Sequence, residues 1–373
     1  MKKIFLLLII LLNINTCFAI EEVIELQRDN LDLDYLSDLY YGKVENYDKV
    51  SPLIKLFSEK GITFENSRIN SIKATFLYDG RLNFTKYEYN SSLTAIHDFN
   101  TVEPMITVKF NENKSKAAFD INLTRTLEGY SNGFTKRISR IFVSHEIVPG
   151  QTIILGQADR LPNSYDGSRN VMEQEMILKS QLGRTLGEAR SVGIRNRGEY
   201  KYIDYDIGLY DATRYMKDFG KGLDFTGYIM LKPLANIEDS TGSLKIGTGY
   251  NIGDYNSSYS MYSFFAGYDY KNFHIKAEYA NADGYNGIHD SNNKAEGFYT
   301  ILAYDLTKKM TFLVRYDFFS PHKNIDNSNI QEYTAGITYK AFKNMKFMVN
   351  IIRRNYSDKP DSNMILFATR FII

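Results

Sequence analysis

The sequence predicts an all-β fold. The expected form is a transmembrane antiparallel β-barrel of about 16 strands with a long, inward-folded third loop. Three observations predict it. From residue 71 onward, apolar and polar residues alternate with period two. The apolar faces often begin or end in Tyr or Phe. The connections between segments alternate short and long.

The alternation is clearest at 117–125, where Ala117, Phe119, Ile121 and Leu123 oppose Ala118, Asp120, Asn122 and Thr124. It recurs at 223–231, 273–280, 310–318 and 331–339. Period two over such lengths means a strand with one apolar and one polar face. A soluble sandwich would show the same pattern, so the other two observations decide. Tyr78, Tyr205, Tyr250, Tyr268, Tyr279, Tyr316, Phe318 and Tyr339 bound the apolar faces. Rings placed there form the interfacial girdles of a membrane barrel. Tyrosine fills the role, since the chain has 29 Tyr and no Trp.

Counted back from the C-terminus, 355–363 is long and 340–344 short, 319–330 long and 306–309 short, 281–296 long and 271–272 short. Further back, 211–222 is long and 198–199 short, 158–189 very long and 147–150 short. One connection departs, because 232–242 falls on the short side. Strands are expected near 71–87, 103–110, 117–125, 137–146, 151–157, 190–197, 200–210, 223–231, 243–250, 262–270, 273–280, 297–305, 310–318, 331–339, 345–354 and 364–371. The first is kept whole, because Ile72, Ala74, Phe76, Tyr78, Leu82 and Phe84 hold one parity through Gly80. A barrel of that size encloses an aqueous channel. The last strand places Ile365, Phe367, Phe371 and Ile373 on one face at the chain end. That resembles the terminal signal of outer-membrane barrels.

Two segments precede the barrel. Lys2 and Lys3, the apolar run Ile4 to Leu12 and the sequence Cys17-Phe18-Ala19 read as a secretory signal peptide over 1–19. A lipoprotein reading through Cys17 is weakened by Asn15 and Thr16. Residues 20–68 are acidic and lack a clean period. They read as a periplasmic arm with one short helix after Ser51-Pro52, or else as a small docking element for a partner. The barrel is expected over 69–373.

Composition excludes other classes. Lys and Arg number 45 against 44 Asp and Glu, without the basic excess of a nucleic-acid binder. The mean hydropathy of −0.34 excludes a polytopic helical membrane protein. One cysteine excludes a disulfide scaffold and a Cys-based zinc site. His97, His145, His274, His289 and His322 are scattered without metal spacing. Ser144 and His145 are neighbours on a strand and so point to opposite faces. No enzyme chemistry and no cofactor are expected.

The stretch Gly80-Arg81-Leu82, the run TIILGQADRLPNSYDGS at 152–168 and the run RSVGIRNRGEYKYIDYDIGLYDATRY at 190–215 carry a further signal. They resemble the phosphate-selective porin O/P family of bacterial outer-membrane porins. The resemblance implies a sixteen-stranded, usually trimeric porin whose third extracellular loop folds into the lumen. Here the third long loop, 158–189, is also the longest.

Selectivity in such a barrel lies in pore width and lining charge. The polar parities offer Arg81, Lys109, Arg195, Arg197, Lys245, Lys276, Arg315 and Lys346 as basic residues. The loop adds Arg160, Arg169, Lys179 and Arg184. Acidic counterparts are Asp79, Asp120, Asp204, Asp206, Asp224, Glu278, Asp317 and Glu332 on the strands. Asp159, Asp166, Glu173 and Glu175 join them from the loop. The walls therefore read as close to balanced, without a one-sided arginine ladder. The expected function is passive diffusion of small hydrophilic solutes or ions through an outer-membrane homotrimer, limited in size by 158–189. The alternatives are an anion- or phosphate-specific channel and a plugged, adhesive barrel.

Overall fold

The computed structural model describes residues 52–373 except 59, 65–67, 90–91, 125–136, 159–161, 188–189, 214–219, 256, 285–293 and 326–327. The expected signal peptide, most of the arm and Arg160 lie outside the described residues.

The strands run in order. They are β1 (Ile62–Thr63), β2 (Ile69–Tyr87), β3 (Thr94–Phe110), β4 (Ser115–Ile121), β5 (Ile138–Val148) and β6 (Gln151–Gln157). Then come β7 (Val192–Glu199), β8 (Ile203–Asp211), β9 (Leu223–Leu231), β10 (Ser243–Tyr255), β11 (Ser257–Tyr270) and β12 (Phe273–Asp283). The last are β13 (Lys294–Thr307), β14 (Met310–Ser320), β15 (Ile330–Phe342), β16 (Met345–Tyr356) and β17 (Ser362–Ile372). From β2 onward each strand pairs antiparallel with the next. The ring closes where β17 returns to β2, from Ser362↔Tyr87 to Ile372↔Leu77. The result is a closed transmembrane barrel of 16 strands. Closure satisfies every ladder N–H and C=O in a medium that offers no water.

Period two sets the faces. Ile275, Leu302, Val314 and Ala335 are neighbours in the ladder, on the outward parity of β12 to β15. Toward the long connections this band is bounded by Phe264, Tyr279, Phe298, Tyr316 and Tyr333. Toward the short turns it is bounded by Phe273, Tyr304, Phe312, Tyr339 and Phe347. The rings touch one another, with Phe298 and Tyr316 at 5.6 Å and Tyr316 and Tyr333 at 5.1 Å between centroids. From Phe312 to Phe318 is about 20 Å of strand, in keeping with the apolar band of a membrane barrel.

The structure alters two strand limits. The sequence pattern ends one strand at 250 and begins the next at 262, yet β10 and β11 continue to Asp254↔Ser258 and Tyr255↔Ser257. Polar residues occupy both faces there, so the hydrophobic period fades while backbone pairing persists. This connection on the long side is therefore a tight hairpin. The second change is in β3, which starts at Thr94 rather than near 103. A bulge at Asn100 breaks the register opposite Asp79 and Gly80, which lets β2 keep one parity throughout. The short-side connection that departs, 232–242, contains a helical turn at Glu238–Thr241.

Three further short helices are α1 (Pro52–Phe57), α2 (Tyr165–Ser168) and α3 (Gln181–Leu186). After α1, β1 pairs Ile62↔Ile72 and Thr63↔Ser71. This is the edge of β2 that β17 vacates. The chain end is sewn into the same edge, since Phe76 N donates to Ile373 O at 2.7 Å and Ile373 N to Phe76 O at 3.1 Å.

The lipid-facing assignment is testable at mid-band. Leu302→Arg should destabilise the folded barrel by about 2–4 kcal/mol in urea titrations in lipid. Lys308→Arg, in the exposed β13–β14 turn, should leave the midpoint unchanged. Equal midpoints for both variants would refute the parity.

Candidate functional site in the barrel interior

The connection from β6 to β7 begins after Gln157, whose neighbour in the strand is Gly156. That residue has φ +115, and a Cβ would meet the Ile141 carbonyl oxygen at 2.4 Å. Glycine lets the chain turn inward, and Gln157 then donates its amide to Ile138 O at 2.8 Å. Ser164 caps α2 by accepting from Gly167 N, and Ser180 caps α3 by accepting from Gly183 N. The helices cross at Gly167 and Gly187, where a Cβ on Gly167 would lie 2.3 Å from Gly187 Cα. Only glycine permits that approach.

The described part of this segment, 162–187, seats on the inner face of the opposite wall. Leu182 and Leu186 pack with Met261, Ala280, Ala282, Ala295 and Phe319. Ile177 packs with Met348, Ile352, Met364, Leu366 and Ala368. Val171 meets Leu77 and Met105, and Met176 meets Ala303 and Leu313. Small inward alanines make room for the segment. Burying each large knob contributes about 1.5–3 kcal/mol. The sequence reading gave the strands a polar inner face, and parts of that face are apolar where the segment covers it.

Polar anchors complete the seat, and many grip backbone. Arg370, fully buried, donates to the carbonyls of Val171 (3.1 Å), Met176 (3.2 Å) and Ile177 (2.6 Å). Its Nε bonds Asp79 at 3.0 Å. Lys346 Nζ donates to Met172 O at 2.9 Å and Gln174 O at 2.6 Å. Asn350 accepts from Ile177 N at 2.8 Å. Glu278 accepts from Tyr165 N and Asp166 N at 2.7 and 3.1 Å. Glu332 is the densest node. It accepts from Arg315 (2.8 Å), Arg354 (2.5 Å), Arg184 (3.1 Å) and the Gln181 amide (2.9 Å). A buried carboxylate needs such partners to remain charged.

Within the segment, Asp166 accepts from Ser180 N and Oγ at 2.6 and 2.7 Å. Burial pushes its carboxyl up. The charges of Lys179 and Arg315 and the Ser180 bonds outweigh this and hold it below 3.8.

The other charged residues expected to line the interior fall in several places. Arg315 and Asp317 are buried against each other at 2.5 Å, beneath the segment. Lys179 is buried and donates to Gly167 O at 2.5 Å. Arg184 reaches Glu332, and Arg81 pairs with Asp79 at 2.6 Å. Arg195 clasps Asp206 through two nitrogens, and Lys276 pairs with Glu175. Arg169 stands 3.6 Å from Glu175. Asp204 pairs with Lys232 at 2.8 Å, and Arg197 with Glu199 at 2.6 Å. Lys109 is exposed near the β3–β4 turn. The sequence reading missed Arg370, Arg140, Arg190, Arg354 and Glu103. Parity could have found Arg370, which alternates with outward Thr369 and Phe371.

Among the described residues, three cavities border the segment. The largest, about 540 Å³, lies between β2–β5 and the segment, and includes Arg81, Glu103, Arg140 and Asn170. A second of about 370 Å³ shares Arg140 and Asn170 with it and continues past Arg195, Tyr205 and Lys245. A third of about 300 Å³ lies along β12–β16 beside His274 and Lys346. His274 sits between Asp269 (2.8 Å) and Asp305 (3.1 Å). On the outer parity, His145 contacts Ser115 at 2.9 Å rather than its neighbour Ser144. Among the described residues, no group of three or more His, Cys, Asp or Glu could hold a metal ion.

No protein-family model matches the chain, and no curated protein does. Solved structures do. The outer membrane channel DcaP of Acinetobacter baumannii is similar at TM-score 0.57 and 10% identity, over 84% of this chain and 99% of that one. An anion-selective porin from Comamonas acidovorans is similar at TM-score 0.60 and 10% identity, over 81% and 99%. The trimer form of OmpT, an outer membrane protein of Vibrio cholerae, is similar at 0.56 and 10%, over 82% and 100%. These likenesses establish a shared fold.

Two outcomes test the seat. Arg370→Met should cost about 3–5 kcal/mol and open 162–187 to protease while the barrel stays folded; unchanged protection would remove Arg370 as an anchor. Asp166→Asn should raise hydrogen exchange in the segment. Because the folded carboxyl is depressed, its stabilisation is present above 3.8 and lost as pH falls through the lower folded value. The gap between wild type and variant should therefore close only below that pH.

Proposed function

We propose that this chain is an outer-membrane porin, a passive diffusion channel for small hydrophilic solutes and ions. One observation carries the reading. The closed barrel has polar cavities beside a fixed internal segment, and two of them share Arg140 and Asn170. Solutes pass between the β2–β5 wall and the segment, which limits their size. Arg81, Arg169, Arg184, Arg195, Arg197, Asp204, Asp206 and Lys276 set the charge along this interior, with Lys109 near the β3–β4 turn; Arg160 belongs to the same proposed set by its place in the sequence alone. Lys179, Arg315 and Asp317 hold the segment that narrows it.

Residues 1–19 direct export, and outer-membrane lipid surrounds the aromatic belts. Three copies assemble, as the motif resemblance implies and as the trimer form of the similar Vibrio protein supports. The likeness of 152–168 and 190–215 to phosphate-selective porins rests on those motifs. No cofactor takes part.

Refolded protein in a planar bilayer should give stepwise openings. Deleting 165–186 should raise the conductance of each step, because it removes the constriction. Silence from a folded, heat-modifiable barrel would overturn the channel reading in favour of a plugged barrel. An unchanged step after the deletion would place the constriction elsewhere.

A further inference from the structure

The two ends of the barrel differ in charge. The chain enters at the end of the short turns, where five of the seven connections carry exposed lysine: Lys114, Lys201, Lys271, Lys308, Lys309 and Lys343. Lys109 and Lys340 are exposed at strand ends beside them. Among the described residues, Lys201 and Lys271 lie over the rings of Tyr202 and Tyr270, at 5.6 and 5.0 Å, rather than against an acid.

Most acids of this end are engaged. Asp269 and Asp305 hold His274 at 2.8 and 3.1 Å. Asp204 pairs with Lys232, and Glu199 with Arg197. Glu146 accepts from Gly150 N at 3.0 Å. The acidic exceptions on this rim are Glu112 and, in the 232–242 connection, Glu238 and Asp239. At the long-connection end the charges meet one another. There Arg353 reaches Glu88 and Asp361, each at 2.7 Å, and Lys323 reaches Glu296 at 2.8 Å.

The lysines are densest over β13–β16. Lys340 N donates to Lys309 O at 2.7 Å. Lys308, Lys309, Lys340 and Lys343 therefore stand on two adjacent turns. Like charges held so close repel, and an acidic partner relieves that repulsion. The cluster also lies beside the point where the chain enters. Asn344 Nδ2 donates to Ile372 O at 2.9 Å, and Ile372 N donates to Asn344 O at 3.0 Å. Ile373 is bonded to Phe76 of β2, and β1 pairs with the same strand at Ser71 and Ile72. From β2 to β15 is three strand spacings, about 15 Å.

The segment before this root has the opposite charge. Residues 20–51 hold nine Asp and Glu against three Lys and Arg. Between Arg28 and Lys43 stand Asp29, Asp32, Asp34 and Asp38, with no base among them. Asp38 is fourteen residues before Pro52. A tether of that length spans about 20 Å as a coil, which covers the distance to the lysines. Covalent linkage also holds the acids at an effective concentration on the order of mM.

We infer that the lysine rim of the β13–β14 and β15–β16 turns is a docking surface for the chain's own acidic segment, residues 29–38. Lys340 and Lys343 also line the cavity beside His274, so the docked acids lower the positive potential there. The inference rests on the barrel and its charges, not on the passage of any solute.

The test is carbodiimide coupling of the refolded full chain in neutral detergent, read by mass spectrometry. The reagent joins a carboxylate directly to an amine. Asp32, Asp34 or Asp38 should link to Lys308, Lys309, Lys340 or Lys343 at low salt. The links should vanish in about 1 M sodium chloride, where the Debye length is about 3 Å. Lys232 and Asp204, 2.8 Å apart, serve as the positive control. In the triple variant Asp32→Asn, Asp34→Asn, Asp38→Asn, acetylation of the four lysines should rise severalfold, while Lys86 at the other end stays unchanged. These substitutions lie outside the barrel and leave its folding intact. Control links without links from the segment to the rim would overturn the inference, as would unchanged lysine reactivity in the variant. Links found only between light- and heavy-isotope copies would overturn it in favour of a contact between chains. Shielding of the lysines that appears only with phosphatidylglycerol vesicles, equally in wild type and variant, would assign the rim to anionic lipid instead. None of these readouts requires an open channel, so each outcome is separate from the porin reading.

Discussion

Hydrocarbon does not bond to an open N–H or C=O, and the rest of this molecule depends on that constraint. It forces the ring to close, so the last strand must meet the first. Once β17 pairs with β2, side-chain parity is fixed around the circumference. One parity must be apolar for lipid, with aromatic rings where lipid meets water. The other is left free for water, ions or protein. The two-residue β1 extends the same logic by covering the edge of β2 beyond the end of β17.

The interior segment solves a different problem. A long connection inside a polar barrel would lose its place without dense anchoring. Apolar knobs supply much of the binding energy, seated in a floor made shallow by alanines. Direction comes from cations that hold carbonyl oxygens, chiefly Arg370, Lys346 and Arg315. Because these bonds go to backbone, they fix the path of 171–178 with little demand on its side chains. The glycine pair at 167 and 187 and the serine caps at 164 and 180 determine how the two short helices meet.

The barrel was legible because period two is a local signal repeated along the chain. Sixteen segments declared themselves in pattern, and the odd connection at 232–242 was visible as such. Strand limits failed where β10 and β11 pair beyond the apolar band, since pairing does not require an apolar face. The interior was less legible. Parity places a charge inside but cannot say whether water or protein covers it. Arg315 and Arg81 looked alike in sequence, yet one is buried beneath the segment and the other borders a cavity. Likewise, equal counts of acids and bases hid the fact that Asp79 and Asp120 lie behind their arginines.

The sealed chain end has a practical consequence. Both backbone groups that join Ile373 to Phe76 are occupied, and β1 lies next along that edge. A purification tag or reporter fused after Ile373 would have to bend away within a few residues or compete with β1 for Ile72. A label or epitope therefore belongs away from this edge.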